Sequence, residues 1–93
     1  MNKLYLPTLE DMQNNKDSFG LAVYNIIFED DSYISLSIDF SEDVDIDNPT
    51  VECVYLGETF YSSMNLNDYS IALDKTIEKV NSIKQKILST KWY

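Results

Sequence analysis

Hydrophobic and polar positions alternate most regularly in "YISLSIDF", where Ile34, Leu36, Ile38 and Phe40 share one parity and Tyr33, Ser35, Ser37 and Asp39 the other. Successive side chains of a strand point to opposite faces, so this pattern predicts a strand that is half buried and half wet. Upstream, "LAVYNIIF" (Leu21 to Phe28) is apolar at both parities and rich in β-branched and aromatic residues. It reads as a strand buried on both sides or central in a sheet. The "EDD" between the two marks a turn. Pro49 disfavours helix at Asn48, and the following "TVECVYLGETFYSSM" reads as two strands around a tight turn. Gly57 is expected at the first central position of that turn, as a type II′ hairpin prefers.

After Asn67 the period changes. Leu66, Tyr69, Leu73, Ile77, Val80, Ile83 and Ile87 recur at spacings of three and four, which predicts a helix of about 22 to 24 residues with an apolar stripe. Asn65 or Asn67 is placed to cap it, and Asp68 and Asp74 sit near its positive end. Near the start of the chain, Thr8 followed by Asp11 forms a loose capping box, and Leu9 and Met12 are three apart, so a short helix is expected there. The architecture expected is therefore α+β, in one domain spanning 1–93: an antiparallel four-stranded meander, a short N-terminal helix, and a long C-terminal helix packed on one face. Trp92 and Tyr93 are read either as folding back onto that sheet or as free for a partner.

Composition supports a single core and excludes several chemistries. With 93 residues, 44% of them apolar, the chain can bury a modest core without a metal or a disulfide. The single cysteine, Cys53, lies inside an apolar run and reads as a small buried hydrophobe, in keeping with a reducing compartment. No stretch approaches the roughly 18 apolar residues of a membrane span, nor does the start look like a signal peptide, so a soluble, cytoplasmic protein is expected. Without His or Arg, a Ser-His-Asp triad, a Cys-His pair and an arginine clamp are all ruled out. There is no Walker loop and no dinucleotide-binding glycine pattern. The expectation is a protein that is not an enzyme and needs no cofactor.

Charge is the feature that points somewhere. Between Asp17 and Asp74 lie 13 acidic residues and no basic one, whereas Lys75 to Tyr93 holds 5 lysines and 1 glutamate; the whole chain carries a net charge of -9. The alternation of the second strand continues past Phe40, with Val44 and Ile46 on the even parity and Asp43, Asp45 and Asp47 on the odd parity with Asp39; only Glu42 breaks it, as at a bulge. Alternate residues of a strand are about 6.6 to 6.8 Å apart, close to twice the roughly 3.4 Å step of phosphates along one DNA strand. Such a row of carboxylates would imitate every second phosphate. The same segment opens like a calcium loop, Asp43-x-Asp45-x-Asp47, but has Asn48 where glycine is needed and Val54 where a bidentate glutamate is needed, so no metal site is expected.

Direct nucleic-acid binding runs against this charge. The class that fits is a small acidic inhibitor that occupies the basic, nucleic-acid-binding surface of a partner protein, steered there by charge. Immunity proteins or antitoxins against nuclease toxins, and phage-borne DNA mimics that block CRISPR or restriction effectors, are of this kind. The residues expected to meet the partner are Asp30, Asp31, Tyr33, Asp39, Glu42, Asp43, Asp45 and Asp47, with Tyr33 as an aromatic anchor. The competing expectation is a structural or adaptor subunit that forms homodimers and is acidic for solubility alone.

Overall fold

The computed structural model of the chain describes residues 4–41 and 48–93. A short helix, α1 (Leu9–Asn14), leads into β1 (Leu21–Phe28), β2 (Tyr33–Asp39), β3 (Val51–Tyr55) and β4 (Glu58–Ser63). A 3-10 turn (Leu66–Asp68), a second helix, α2 (Tyr69–Ser82), and a last strand, β5 (Ile87–Trp92), complete it. The five strands form one sheet in the order β4-β3-β2-β1-β5, with every neighbouring pair antiparallel.

The expected four-stranded sheet is thus corrected to five strands. The helix stops at Ser82, where Ile83 turns extended with ψ 115°, and Ile87, expected on the helical stripe, instead begins β5. The cause lies in β1, whose apolar residues on both parities suit an interior strand. A meander of four would have left it at an open edge, a liability in any sheet. β5 pairs along it from Tyr24↔Trp92 to Phe28↔Ile87, with an irregularity between Ile27 and Phe28.

Cross-strand register sets one buried face. Ala22↔Ile38, Tyr24↔Leu36 and Ile26↔Ile34 pair between β1 and β2, and Leu36↔Cys53 and Ile38↔Val51 continue the rows into β3. Apart from Tyr24, which is nearly so, these side chains are fully buried beneath the helices, together with Phe28 and Met12 of α1. α2 lies over β3 and β4. Its buried residues are Tyr69, Ala72 and Thr76, while Ile77 of the expected stripe is 42% exposed. The small Ala72 lets the helix come close, and Thr76 is tolerated because its hydroxyl donates to Ala72 O at 2.8 Å.

Local chemistry fits the ends of these elements. Thr8 and Asp11 form the capping box: Thr8 N donates to Asp11 Oδ2 at 3.0 Å and Asp11 N to Thr8 Oγ1 at 3.1 Å. The segment before α1 is tied down by two buried phenols, Tyr69 donating to Pro7 O at 2.6 Å and Tyr24 to Tyr5 O at 3.2 Å. The β3–β4 turn differs from the expected type II′. Its central residues are Leu56 and Gly57, with φ of 52° and 77°, so both are left-handed as in a type I′ turn. Glycine takes that conformation freely, but leucine does not. Trp92 packs edge-on against Tyr24, with ring centroids 5.0 Å apart, whereas Tyr93 is exposed.

Candidate interaction face

The opposite face of the sheet carries the odd residues of β1 and β2 and the even residues of β3, and neither helix covers it. Two of its rows run straight across the strands. Lys91, Asn25, Ser35 and Val54 form one, and Val23, Ser37 and Glu52 form the other. Ile27 stands opposite Tyr33, and Leu21 opposite Asp39. The face is apolar along β1, hydroxyl-rich along β2, and acidic towards β3 and the ends of β2.

Tyr33, 54% exposed, rises from this face between two shallow depressions. One, of about 440 Å³, extends from Tyr33 and Ser35 to Glu52, Val54 and the Leu56 turn. The other, of about 460 Å³, has Val23, Asn25 and Ile27 beneath it and Tyr33, Lys91 and Tyr93 around it. Asp31 borders both. In the first, Ser37 Oγ donates to the Glu52 carbonyl at 3.5 Å.

Of the residues expected to meet a partner, Asp31, Tyr33 and Asp39 belong to this face. Asp30 has a different employment. Its Oδ1 accepts from Ser32 N at 2.9 Å and from the Ser32 hydroxyl at 2.5 Å, and its Oδ2 accepts from Gln85 Nε2 at 2.7 Å. These hydrogen bonds, the Ser32 hydroxyl first and then Gln85, hold its carboxyl below the usual carboxylate range. Asp30 therefore clasps the β1–β2 hairpin to the link between α2 and β5. Glu29 adds to the clasp, its backbone N–H donating to Lys86 O at 3.1 Å. Asp39 Oδ1 accepts from Ser41 N at 2.8 Å, closing the end of β2. Glu42, Asp43, Asp45 and Asp47 lie outside the described residues, as does the continued carboxylate ladder.

The acidic charge is little neutralised. Among the described residues the ion pair is Lys75–Glu78, at 3.5 Å on the exposed side of α2. Other lysines lie against rings: Lys16 over Phe40 at 5.9 Å, Lys79 near Tyr55 and Phe60 at 5.6 and 5.5 Å, and Lys91 near Tyr93 at 5.7 Å. The residues of this face that carry no expectation in the sequence are Asn25, Glu52 and Lys91. Asn25 has a signal, as the one polar residue within "LAVYNIIF"; the position of Lys91 depends on β5, whose first residue continues the helical period.

Groups suited to bond-making chemistry are scarce. Cys53 is fully buried, its Sγ 3.5 Å from Thr76 Oγ1 and 3.9 Å from Ala72 O. Burial pushes its thiol up to about 11, which keeps it protonated and unreactive at neutral pH. Among the described residues no three His, Cys, Asp or Glu side chains gather as metal ligands. Among them, too, no helix is long and apolar enough to cross a membrane. Compared with protein-family models, curated proteins and solved structures, the chain matches none of them.

Proposed function

We propose that this protein is a binding inhibitor whose open sheet face engages the basic, nucleic-acid-binding surface of a partner protein. The observation that carries the reading is an uncovered face on which Asp31, Asp39 and Glu52 surround exposed Tyr33 and half-buried apolar residues. Apolar surface ringed by charge is the usual make-up of a protein interface, with aromatic side chains as its anchors. Uncompensated acid steers a basic partner on to it and discourages nucleic acid itself. The carboxylates from Glu42 to Asp47 add to the same sign of charge.

The test is capture by the tagged protein at low and high salt, followed by measurement of whether the captured protein still binds nucleic acid. The expected result is a basic nucleic-acid-binding protein, retained at low salt, released as screening rises, and prevented from binding its nucleic acid. Changing Asp43, Asp45 and Asp47 together to Asn should weaken capture. Recovery that ignores both salt and this triple substitution would sink the proposal. Exposed Leu21, Leu56 and Leu88 favour a second reading, a self-associating structural subunit. Sedimentation showing a dimer that is indifferent to salt, with no other protein captured, would select it.

A further inference from the structure

α2 ends without a stop signal in its sequence. Residues 83–86 hold no Gly or Pro, three of the four are the strong helix formers Lys84, Gln85 and Lys86, and the apolar spacing of the helix runs on through Ile83 to Ile87. Yet the helix stops at Ser82, and the chain turns extended at Ile83 with ψ 115°. What holds the turn is tertiary. Gln85 Nε2 donates to Asp30 Oδ2 at 2.7 Å, Glu29 N to Lys86 O at 3.1 Å, and Lys86 N to Glu29 Oε1 at 3.4 Å. The turn also has a cost, since Gln85 Oε1 is buried with no hydrogen-bond partner among the described residues. The strand delivered by this link, β5, is held mainly along β1, and its four middle residues are exposed.

We propose that β5 is exchanged between two copies of this chain: in a second form of the protein, residues 83–86 continue α2 as helix, and each β5 pairs with β1 of the other copy. Both forms contain the same β1–β5 pairings, from Tyr24↔Trp92 to Phe28↔Ile87, and they differ at the link. Straightening the link gives up the hydrogen bonds to Asp30 and Glu29. In return it releases Gln85 Oε1 to water and adds helical hydrogen bonds over about 6 Å of new helix. Without the turn, residue 87 no longer meets Phe28 of its own chain. A second copy suits the vacated edge better than a foreign strand does, because it brings the Trp92 that packs edge-on against Tyr24. A short link with a competing local structure is a known setting for such exchange. Each copy carries a net charge of -9, which opposes the approach of two, so screening by salt favours the dimer. The exchange leaves each sheet with five strands and the same open face, and so stands apart from the inhibitor reading.

The test is sedimentation velocity of the full chain over a range of concentrations, with the exchange itself read from a disulfide. A chain carrying Cys53→Ala, Asn25→Cys and Lys91→Cys places two thiols at paired positions of β1 and β5. On oxidation the bridge lies within one chain in the closed monomer and between chains in the exchanged dimer, which a non-reducing denaturing gel separates. The expected result is a dimer whose fraction rises with concentration and with salt, and whose bridges join two chains. Gln85→Ala removes the clasp and keeps a strong helix former, so it should raise the dimer fraction several-fold. Lys84→Gly disfavours helix through the link and should lower it several-fold. A monomer at every concentration, in Gln85→Ala as in the unaltered chain, overturns the exchange. So does a dimer whose bridges all lie within single chains.

Discussion

The two faces of the sheet are built from alternate residues of the same strands, yet they obey different rules. On the covered face, Ile26, Ile34, Leu36, Ile38, Val51 and Cys53 are fully buried, and its polar group, Thr76, is satisfied by the helix that brings it. On the open face the sequence departs from local preference. Leu56, 73% exposed, holds a left-handed conformation that costs a leucine about 1–2 kcal/mol. Such departures collect where a protein has work other than folding to do. Packing alone accounts for the covered face; the Leu56 turn carries a backbone cost that local preference does not explain.

The comparison would be broken most directly by cutting into each face in turn. Leu36→Ala should destabilise the protein by about 2–5 kcal/mol in urea unfolding, because it empties a filled site. Ser37→Ala, one residue along, should change stability by less than about 0.5 kcal/mol. If the two cost the same, the covered face is not the core. Alkaline pH probes the covered side a second way. The Cys53 thiol ionises near 9 in the unfolded chain and near 11 in the fold. Its contribution is therefore complete below pH 9 and is lost as pH rises towards 11, on the order of 2 kcal/mol in all. Burial likewise raises the Tyr69 phenol from its ordinary 10.0, with Cys53, Asp11 and Tyr24 adding to the shift, so Tyr69 extends the loss to higher pH. Urea unfolding across this range should show the decline, and Cys53→Ala should remove its first part; a flat profile would mean that the thiol is not shielded. The smallest effect sharpens the contrast from the open side. Leu56→Asn should stabilise the hairpin by about 1 kcal/mol, since Asn-Gly suits a type I′ turn. A loss of stability in thermal melts would show that Leu56 is there for packing instead.

Much of the fold was legible because the strands announce themselves. The alternation of "YISLSIDF", the β-branched run of β1 and the paired runs around Gly57 each became a strand, and Thr8 with Asp11 became the cap of α1. The fifth strand escaped because Ile83 and Ile87 keep a spacing of four and so prolong a helical pattern. β5 itself is an edge strand with little burial, so its own residues carry a weak signal. A contrary sign was present in β1, which read as a central strand and could not be one in a meander of four. The turn was displaced by one residue because leucine is not expected at positive φ. The candidate face was legible only in part. Parity places Tyr33 and Asp39 on this face, but Asp30, expected to meet a partner, is held by Ser32 and by Gln85, which is 55 positions away.

By itself the sequence determined what short-range physics controls: the period of each strand, the parity that separates apolar from polar side chains, the capped start of α1, and the excess of negative charge. These follow from residues within a few positions of one another. Tertiary structure decided where the helix yields to a strand, which edge that strand joins, and which polar groups are left over. Those outcomes depend on pairings between distant segments, Phe28 with Ile87 and Asp30 with Gln85, whose advantage appears only once the sheet has assembled. The depression beside Tyr33 exists for the same reason, since β2 supplies one of its walls and β5 the other.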